Sequence, residues 1–592
     1  MPCPTGAVVG TVHDVRVTTP DVTRVLDGLR AGDTVALALV PGRGLALAWS
    51  GGTSYVATPD PVGAVRDLEA LGPRWVWWSA RETAAELVAG GVRPRACWDL
   101  GAVGRLLHGL SRDDAGAVWA AAHGLPEPPL SEGELTLLDL PGEEDDAVRS
   151  DGQLSREWLR GAWRADLRAT TRWAQLALEV HELQEDAVRA LPDRRRTSGP
   201  TPLPVLTAHS ESMAALLAVE LGHDGLPIDR GVLDELLTRT IGPRPDNPAA
   251  EAASRRARDE LVWQHFPGDP VDLRNPGSVR DLLARVGIVV PDTRSWRLEP
   301  YAESSPGVAA LLAWRKSERI ATTYGWTWSD RDIGPDDRLR GSWGASEGAG
   351  RMTASAGLHN LPAELRVAVR PLPGRVLVRS DLGQIEPRVL AAVSGDVALA
   401  GAAREDDMYS PVAKALGSDR PTAKVAVLAA MYGQTTGPAG EALKDMDRAY
   451  PTAMAFLRTA EEHGRRGEDL RTYGGRLLRL STLAEVLADA GPDSNAAHSY
   501  GRFARNAVVQ GAAAELFKAW AATVRAGLVG LDARIVLCLH DELLVETPVD
   551  GAAAVVDVVD SALQSTAAWW CAGSGVRLVS DTSVVQSWAD AH

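Results

Sequence analysis

The stretch that decides the fold of this 592-residue chain reads Ser380-Asp381-Leu382-Gly383-Gln384-Ile385-Glu386-Pro387-Arg388. It follows the apolar run Val376–Val378, so Asp381 is predicted to end a buried strand. A second carboxylate, Asp541, follows the apolar run Ile535–Leu539 in the same way. A carboxylate at the end of a buried strand is costly unless it meets a cation. We therefore expect the two strands to be neighbours and the two aspartates to share a pair of divalent metal ions.

We expect Mg²⁺ at this site, with two ions bound and Mn²⁺ as an alternative. Mg²⁺ takes few protein ligands and completes its shell with water and substrate phosphates. Two aspartates, with Glu542 adjacent, are therefore sufficient. One ion would activate an attacking hydroxyl, and the other would neutralise a leaving pyrophosphate. Taken alone, either aspartate is more often an ordinary turn residue.

A helix is predicted between the two carboxylate segments. One face of this helix carries residues four positions apart: Arg420, Lys424, Leu428 and Tyr432. An arginine and a lysine one turn apart suit a triphosphate, and a tyrosine followed by Gly433 offers a flat surface for a base. In isolation, a charged stripe of this kind is more often a solvated helix face.

Two further segments carry side chains suited to nucleic acid. Arg502, Asn506 and Gln510 again step by four positions. Side chains of these types on one stripe can hydrogen-bond base edges and sugars. The other segment is Gly350-Arg351-Met352-Thr353, followed by Leu358-His359-Asn360-Leu361-Pro362.

Together these segments resemble the family A DNA polymerases, of which bacterial DNA polymerase I is the type. The resemblance runs from about residue 205 to the last residue and includes the ending Ser587-Trp588-Ala589-Asp590-Ala591-His592. It implies DNA-directed synthesis on primer-template DNA from dNTPs, in replication or repair gap filling. The implied fold class is α/β multidomain, an α+β right hand preceded by a ribonuclease H-like, exonuclease-like α/β domain. The implied domains are 1–192 for the exonuclease-like domain, 205–330 for the thumb, 335–410 with 521–592 for the palm, and 411–520 for the fingers.

The resemblance also implies roles for individual residues. Asp381 and Asp541 would hold the catalytic metals, with Glu542 near the primer end. Lys424 would grip the triphosphate beside Arg420 and would also protonate the leaving pyrophosphate. The implied nucleotide-binding set is Arg420, Lys424, Leu428, Tyr432, Glu386, Gln384 and Asp407. The implied DNA-contacting set is Arg351, Arg502, Asn506, Gln510 and His540.

Three positions depart from the pattern of that family. Leu428 stands where a phenylalanine or tyrosine is usual, and an aliphatic side chain packs less well than a ring against sugar and base. Val508 replaces a usual proline, and Tyr409 stands where histidine is frequent. We expect the change at Leu428 to affect nucleotide affinity and dideoxynucleotide discrimination.

The exonuclease-like domain lacks the carboxylates that its implied relatives use. The candidate first strand, Thr34–Val40, carries none, and the acids Glu82, Asp99 and Asp166 do not have the matching spacing. Two-metal hydrolysis needs clustered ligands. We therefore expect a structural domain without 3′–5′ proofreading.

The composition is compatible with a nucleic-acid enzyme even though the net charge is −16. The implied fingers, residues 411–520, hold 14 Lys+Arg against 12 Asp+Glu, a net charge of +2, and local charge matters more than the total. No run of about 18 apolar residues and no signal pattern occur. Four scattered cysteines do not suggest disulfides or a zinc site. We expect a cytoplasmic, nucleoid-associated monomer without membrane contact.

Three alternatives remain open from the residues alone. A single-subunit RNA polymerase shares the Arg…Lys…Tyr-Gly helix, but Glu386, which by resemblance excludes a 2′-hydroxyl, argues against it. The chain would be bifunctional if residual 3′–5′ exonuclease activity persisted. A catalytically silent scaffold would bind primer-template without extending it.

The hydrophobic pattern predicts several local elements. Residues 1–125 alternate short strands and helices, 158–190 form a long helix, and 411–520 are almost wholly helical. Residues 531–547 are predicted to form a hairpin with a tight turn at His540-Asp541-Glu542. A final strand is expected at Val576–Ser580.

Overall fold

The structure is a computed structural model that describes residues 28–129, 146–345, 348–433, 438–491 and 494–590. Cys3, the acidic residues Glu143–Asp145, and the terminal Ala591 and His592 lie outside the described residues. None of the helices in the described part of the chain is long and apolar enough to cross a membrane. Cys97, Cys538 and Cys571 are buried free thiols.

Five strands near the N-terminus form one sheet in the order β3-β2-β1-β4-β5. The strands are β1 Thr34–Val40, β2 Gly44–Trp49, β3 Gly52–Ala57, β4 Arg74–Trp77 and β5 Ala96–Asp99. Strand β1 pairs antiparallel with β2 and parallel with β4. The accompanying helices are α1 Pro61–Leu68, α2 Ala80–Ala89, α3 Leu100–His108 and α4 Ala115–Ala122. The predicted α/β unit is confirmed over the part that the structure describes.

The N-terminal sheet is buried on both faces. Successive side chains of β1 point to opposite faces, so Val35 and Leu37 join one hydrophobic cluster while Ala36 and Ala38 join another. The second cluster also contains Trp173, from a helix that covers this face. The sheet therefore has helices on both sides, as its continuous apolar strand predicts.

The long helix predicted over 158–190 begins later than expected. The structure has α5 Arg156–Leu159 and then α6 Leu167–Arg189. Asp166 caps α6, because its side chain accepts hydrogen bonds from the backbone N–H groups of Arg168 and Ala169. Gly161, at φ 104°, separates the two helices.

The chain from 203 to 332 is mostly helical. Its helices are α7 Leu203–Asp224, α8 Arg230–Ile241, α9 Pro248–Trp263, α10 Pro276–Ala284, α11 Ser295–Leu298, α12 Pro306–Thr323 and α13 Trp326–Asp332. Asn275 caps α10 because its side chain accepts hydrogen bonds from the backbone N–H groups of Gly277 and Ser278. A separate hydrophobic cluster that includes Phe266 and Trp314 joins α9, α10 and α12.

The second half of the chain is built around a four-stranded antiparallel sheet in the order β13-β14-β10-β15. The remaining strands are β6 Leu226–Pro227, β7 Arg338–Leu339, β8 Trp343–Ala345, β9 Met352–Ala354, β10 Arg375–Leu382, β11 Leu470–Arg471, β12 Leu477–Leu478, β13 Arg534–Leu539, β14 Glu542–Pro548 and β15 Ser580–Val585. The hairpin of β13 and β14 confirms the predicted hairpin. We call this four-stranded sheet the C-terminal sheet.

Helices pack around the C-terminal sheet and make up most of the described residues between 411 and 520. They are α14 Ala363–Arg366, α15 Ile385–Ser394, α16 Val397–Ala402, α17 Tyr409–Leu416, α18 Arg420–Tyr432, α19 Pro438–Ala449, α20 Pro451–Arg466, α21 Ala484–Ala490, α22 Asn495–Gly527 and α23 Ala552–Trp570.

The final strand lies later in the chain than the sequence predicts. The run Val576–Val579 lies outside the strands of the sheet, and the carbonyl of Val579 accepts a hydrogen bond from the backbone N–H of Gly383. Strand β15 is the polar run that follows, and it pairs with β10 from Ser580 to Val585. Hydrophobicity missed this strand because its first four residues are polar, with Asp581 near Arg379 and Thr582 bonded to Ser380 of β10.

Buried ion pairs join α7 to α22 across the interior. Lys518 donates to Glu211 at 2.6 and 2.7 Å, and Arg525 donates to Glu220 at 2.5 and 2.7 Å. Arg476 also lies 2.6 Å from Glu211. These cations lower the pKa of Glu211 to about 2 although burial alone would raise it. The N-terminal sheet and the C-terminal sheet are thereby held to the same pair of helices.

Candidate active site

The register of the C-terminal sheet brings the two predicted carboxylate segments together. Asp381 on β10 lies directly opposite Glu542 on β14. The backbone N–H of Leu382 donates to the carbonyl of Asp541 at 2.8 Å. The expectation that the two strands are neighbours is therefore confirmed. Beside them lies a pocket of about 160 Å³, lined by Arg351, Gln384, Ile385, Glu386, Pro387, Ala513, Ala514, His540 and Asp541.

Two residues of this site have left-handed backbone conformations. His540 has φ 53° in the two-residue turn that links β13 to β14, and Gln384 has φ 57° at the start of α15. Such conformations are uncommon for residues with a side chain, and they cluster at functional sites. The tight turn sets the direction of Asp541, and the sequence signal for it was a His-Asp pair between two apolar runs.

Both aspartates are largely shielded from water, which disfavours their charged forms. Burial and the charge of Asp381 raise the pKa of Asp541 to about 6. Burial also raises the pKa of Asp381, against the lowering effect of Arg379. Among the described residues, no three His, Cys, Asp or Glu side chains converge as a preformed metal cage. A pair of close carboxylates fits Mg²⁺, which draws its other ligands from water and phosphate.

Glu542 lies in the sheet face rather than in the pocket lining. Its carboxylate accepts from Arg379 Nε at 2.5 Å and from Trp588 Nε1 at 2.9 Å. The guanidinium of Arg366 covers the ring of Trp588 at 4.1 Å from its centroid. Sequence reasoning missed both Arg379 and Trp588 as partners of this site.

Glu386 lies at the centre of a polar group on the opposite wall of the pocket. Its carboxylate is ion-paired with Arg351. The phenol of Tyr432 hydrogen-bonds to Glu386 and to Gln510, and burial is the main reason that its pKa is raised. Four residues predicted from four separate segments are therefore brought together.

Arg420 and Asp407 form a second polar group at the outer end of the site. Asp407 accepts two hydrogen bonds from the guanidinium of Arg420 and one each from Ser410 Oγ and Gln384 Nε2. These bonds, with Arg420 as the largest contributor, lower the pKa of Asp407 to about 2. Arg420 also lies 5.6 Å from the ring centroid of Tyr409.

The four residues of the predicted stripe on α18 lie in different environments. Arg420 and Lys424 are exposed at the beginning of α18, whereas Leu428 is partly buried and packs against the main hydrophobic core. Tyr432 is 39% exposed near the end of the helix. The stripe is therefore charged and open at one end and packed in its middle.

The second stripe, on α22, also points toward this region. Arg502 is exposed and its side chain lies beside Gly433 at the end of α18. Asn506 is partly buried, and its Oδ1 has no hydrogen-bond partner among the described residues. A buried polar atom without a partner is uncommon. It marks a position where a ligand would supply the missing bond.

The sequence model of DNA polymerase family A matches residues 289–590. The chain belongs to DNA polymerase family A. It is 30% identical to DNA polymerase I of Chloroflexus aurantiacus over 284 residues, covering 43% of this chain and 29% of that protein. It is 27% identical to DNA polymerase I of Pseudomonas aeruginosa over 467 residues, covering 71% of this chain and 47% of that protein. The chain thus spans less than half the length of these curated relatives.

A solved structure has the same fold as this family A chain. It is the POL domain of Pol1 from M. smegmatis in complex with DNA primer-template and dNTP. The TM-score is 0.67 at 18% identity, over 96% of this chain and 98% of the other. The predicted α/β multidomain fold class is confirmed by this match.

The candidate acids of the N-terminal region of this family A chain have local structural roles. Asp99 is buried and accepts from the backbone N–H groups of Ala80 and Ala102 and from Trp77 Nε1. Burial raises its pKa to about 6. Asp166 caps α6, as described above, and Glu82 is exposed in the first turn of α2. The three acids sit on different elements and serve different neighbours.

Proposed function

We propose that this family A chain catalyses template-directed DNA synthesis. It would add deoxynucleotides to the 3′ end of a primer by in-line attack of the primer 3′-hydroxyl on the α-phosphate, with release of pyrophosphate. The observation that carries the proposal is the pairing of β10 with β14, which brings Asp381 and Asp541 together beside one pocket.

Asp381 and Asp541 are the proposed ligands of two Mg²⁺ ions, or of Mn²⁺ in their stead. When bound, the ions supply activation of the 3′-hydroxyl and neutralisation of charge on the pyrophosphate. The raised pKa of both carboxyls supports this role, because each carboxylate is a poorly solvated anion that a cation stabilises.

The exposed beginning of α18 is the proposed triphosphate site. Arg420 and Lys424 lie one turn apart there and would hold the phosphates, with Asp407 beside the phosphate tail. Lys424 would also protonate the leaving pyrophosphate. Glu386, fixed by Arg351 and Tyr432, would lie against the sugar C2′ position and exclude a 2′-hydroxyl.

The remaining polar residues of the cleft are the proposed contacts to primer and template. The unpartnered Oδ1 of Asn506 supports this assignment. The M. smegmatis structure supports it as well, because that protein is bound to DNA primer-template and dNTP. The proposed DNA-contacting residues are Arg351, Arg502, Asn506, Gln510 and His540, with Gln384 and Leu428 toward the nucleotide.

The domain division follows the same proposal. Residues 205–330 would form the thumb, 335–410 with 521–592 the palm, and 411–520 the fingers. Residues 1–192 would form an exonuclease-like domain that does not edit, since its acids are engaged in local structure. We propose that the protein is a monomer in the cytoplasm and associates with the nucleoid.

Primer extension tests the proposal directly. The full chain is mixed with a labelled primer-template, Mg²⁺ and four dNTPs, beside a control without dNTPs. We expect extension in the first reaction, no shortening in the control, and loss of extension in Asp541→Asn. Binding without extension would instead identify a silent scaffold. Shortening that disappears in Asp99→Asn would identify residual exonuclease activity.

A further inference from the structure

A single arginine lies beneath a row of three carboxylates on the C-terminal sheet. The register aligns Asp381 with Glu542 on one neighbouring strand and with Asp581 on the other. Arg379 lies two positions before Asp381 and so shares its face of the sheet. Its guanidinium reaches all three: Nε to Glu542 Oε1 at 2.5 Å, Nη2 to Asp381 Oδ2 at 3.0 Å, and Nη1 to Asp581 Oδ2 at 3.7 Å.

The three carboxylates differ in their exposure to solvent and in their contacts besides this arginine. Glu542 is 10% exposed and is also held by Trp588, so it is fixed. Asp581 is 72% exposed and solvated. Asp381 is intermediate, at 33%, and Arg379 engages one of its two oxygens. Since the side chain of Arg379 is only 14% exposed, water screens its charge poorly.

Building on the proposed function of this site, we propose that Arg379 is an internal counter-cation of the metal site. It holds the row Glu542–Asp381–Asp581 in place when no divalent ion is bound, and it lowers the affinity of Asp381 for such ions. A divalent cation arriving at Asp381 is repelled by the guanidinium that is already bonded to the same carboxylate. Arg379 is thus a positioning residue that sets the metal concentration at which the site fills.

Arg375 provides a matched control within the same strand. It lies on the same face of β10, six residues and about 20 Å from Asp381. Its side chain is 15% exposed and is paired with Asp532 at 2.9 Å. The two arginines therefore have similar burial and both pair with carboxylates, but only Arg379 contacts the proposed metal ligand.

The test measures Mn²⁺ binding to the metal-free full chain by electron paramagnetic resonance, without DNA or dNTP. In the wild type, binding should depend on Asp381 and Asp541. We expect Arg379→Gln to bind Mn²⁺ about ten-fold more tightly than the wild type, whereas Arg379→Lys and Arg375→Gln should stay within about two-fold. Thermal melts should also show a larger Mn²⁺-induced rise of Tm in Arg379→Gln than in the wild type.

The outcomes separate this inference from the proposed function. Wild-type Mn²⁺ binding that is insensitive to Asp541→Asn would contradict the metal site itself. Aspartate-dependent binding that is unchanged or weakened in Arg379→Gln would overturn only the role of Arg379. If Arg379→Gln does not fold, Arg379→Lys decides, because a change in its affinity beyond about three-fold would mean that the position, not the charge, controls the site.

Discussion

Asp407 holds Arg420 by two hydrogen bonds, from Nε to Oδ2 at 2.8 Å and from Nη2 to Oδ1 at 3.1 Å. The two residues come from segments on either side of α17. In this geometry the arginine proposed to grip the triphosphate is already neutralised by a carboxylate. An incoming nucleotide must therefore compete with Asp407 for the same guanidinium.

Asp407→Asn should strengthen nucleotide binding. Removing the carboxylate frees Arg420 and removes an anion that repels the phosphates, so we expect the KM for dNTP to fall by about five-fold with little change in kcat. Steady-state extension kinetics measure both quantities. The control is Asp406→Asn, since the neighbouring Asp406 is paired with Arg577 at 2.7 Å and should leave KM unchanged. A higher KM in Asp407→Asn would mean that Asp407 aligns Arg420 rather than competing for it.

Asp541→Asn should abolish extension and stabilise the metal-free protein. The pKa of Asp541 is raised from 3.8 to about 6 on folding, so the unfolded chain loses this proton at lower pH than the folded chain. Stability therefore falls as pH rises through this window, and the cost persists above it. Without metal at pH 7.5, the variant should be more stable by on the order of 1–2 kcal/mol. Extension should fall at least about a hundred-fold.

Chemical denaturation in a chelator measures this gain across pH. The gain should vanish below about pH 4, where Asp541 is protonated in both states. A variant that is less stable than the wild type at pH 7.5 would show that Asp541 is not an unfavourable anion in the metal-free site.

The two carboxylate segments could be predicted because each leaves a strong local signal. Asp381 and Asp541 follow apolar runs, and the turn at His540 is short enough to read from the sequence. Hydrophobic runs are also what located the strands of the N-terminal sheet, such as Thr34–Val40.

The charged contacts could not be predicted, because they join residues far apart in sequence through the sheet register. Arg379 meets Glu542 and Asp581 only when three strands align. The same limit applies to β15, whose polar residues face those charges and so lack the apolar pattern of a strand. The helical spacing predicts an open face for Leu428, but the packing of α18 turns this residue toward the core.

Glu211→Gln should destabilise the whole chain. Glu211 accepts from Lys518 and lies beside Arg476, and all three are buried. Neutralising the carboxylate removes the counter-charge that both buried cations contact directly, which costs about 3–5 kcal/mol. Urea unfolding measures the loss. The control Glu82→Gln removes an exposed carboxylate on α2 and should change stability by less than about 0.5 kcal/mol.

Glu386→Ala should weaken the discrimination between deoxyribonucleotides and ribonucleotides. Glu386 is held by Arg351 and Tyr432, so its carboxylate has a fixed position on the pocket wall. Truncation removes that bulk and leaves room for a 2′-hydroxyl. We expect the ratio of kcat/KM for dNTP over rNTP to fall by at least about ten-fold, mainly through faster ribonucleotide incorporation. Single-nucleotide incorporation with matched dNTP and rNTP measures this ratio.

Glu364→Ala, on α14 outside the pocket lining, is the control. A ratio that stays at the wild-type value would show that Glu386 does not face the sugar, and the assignment of this pocket to the incoming nucleotide would then be wrong.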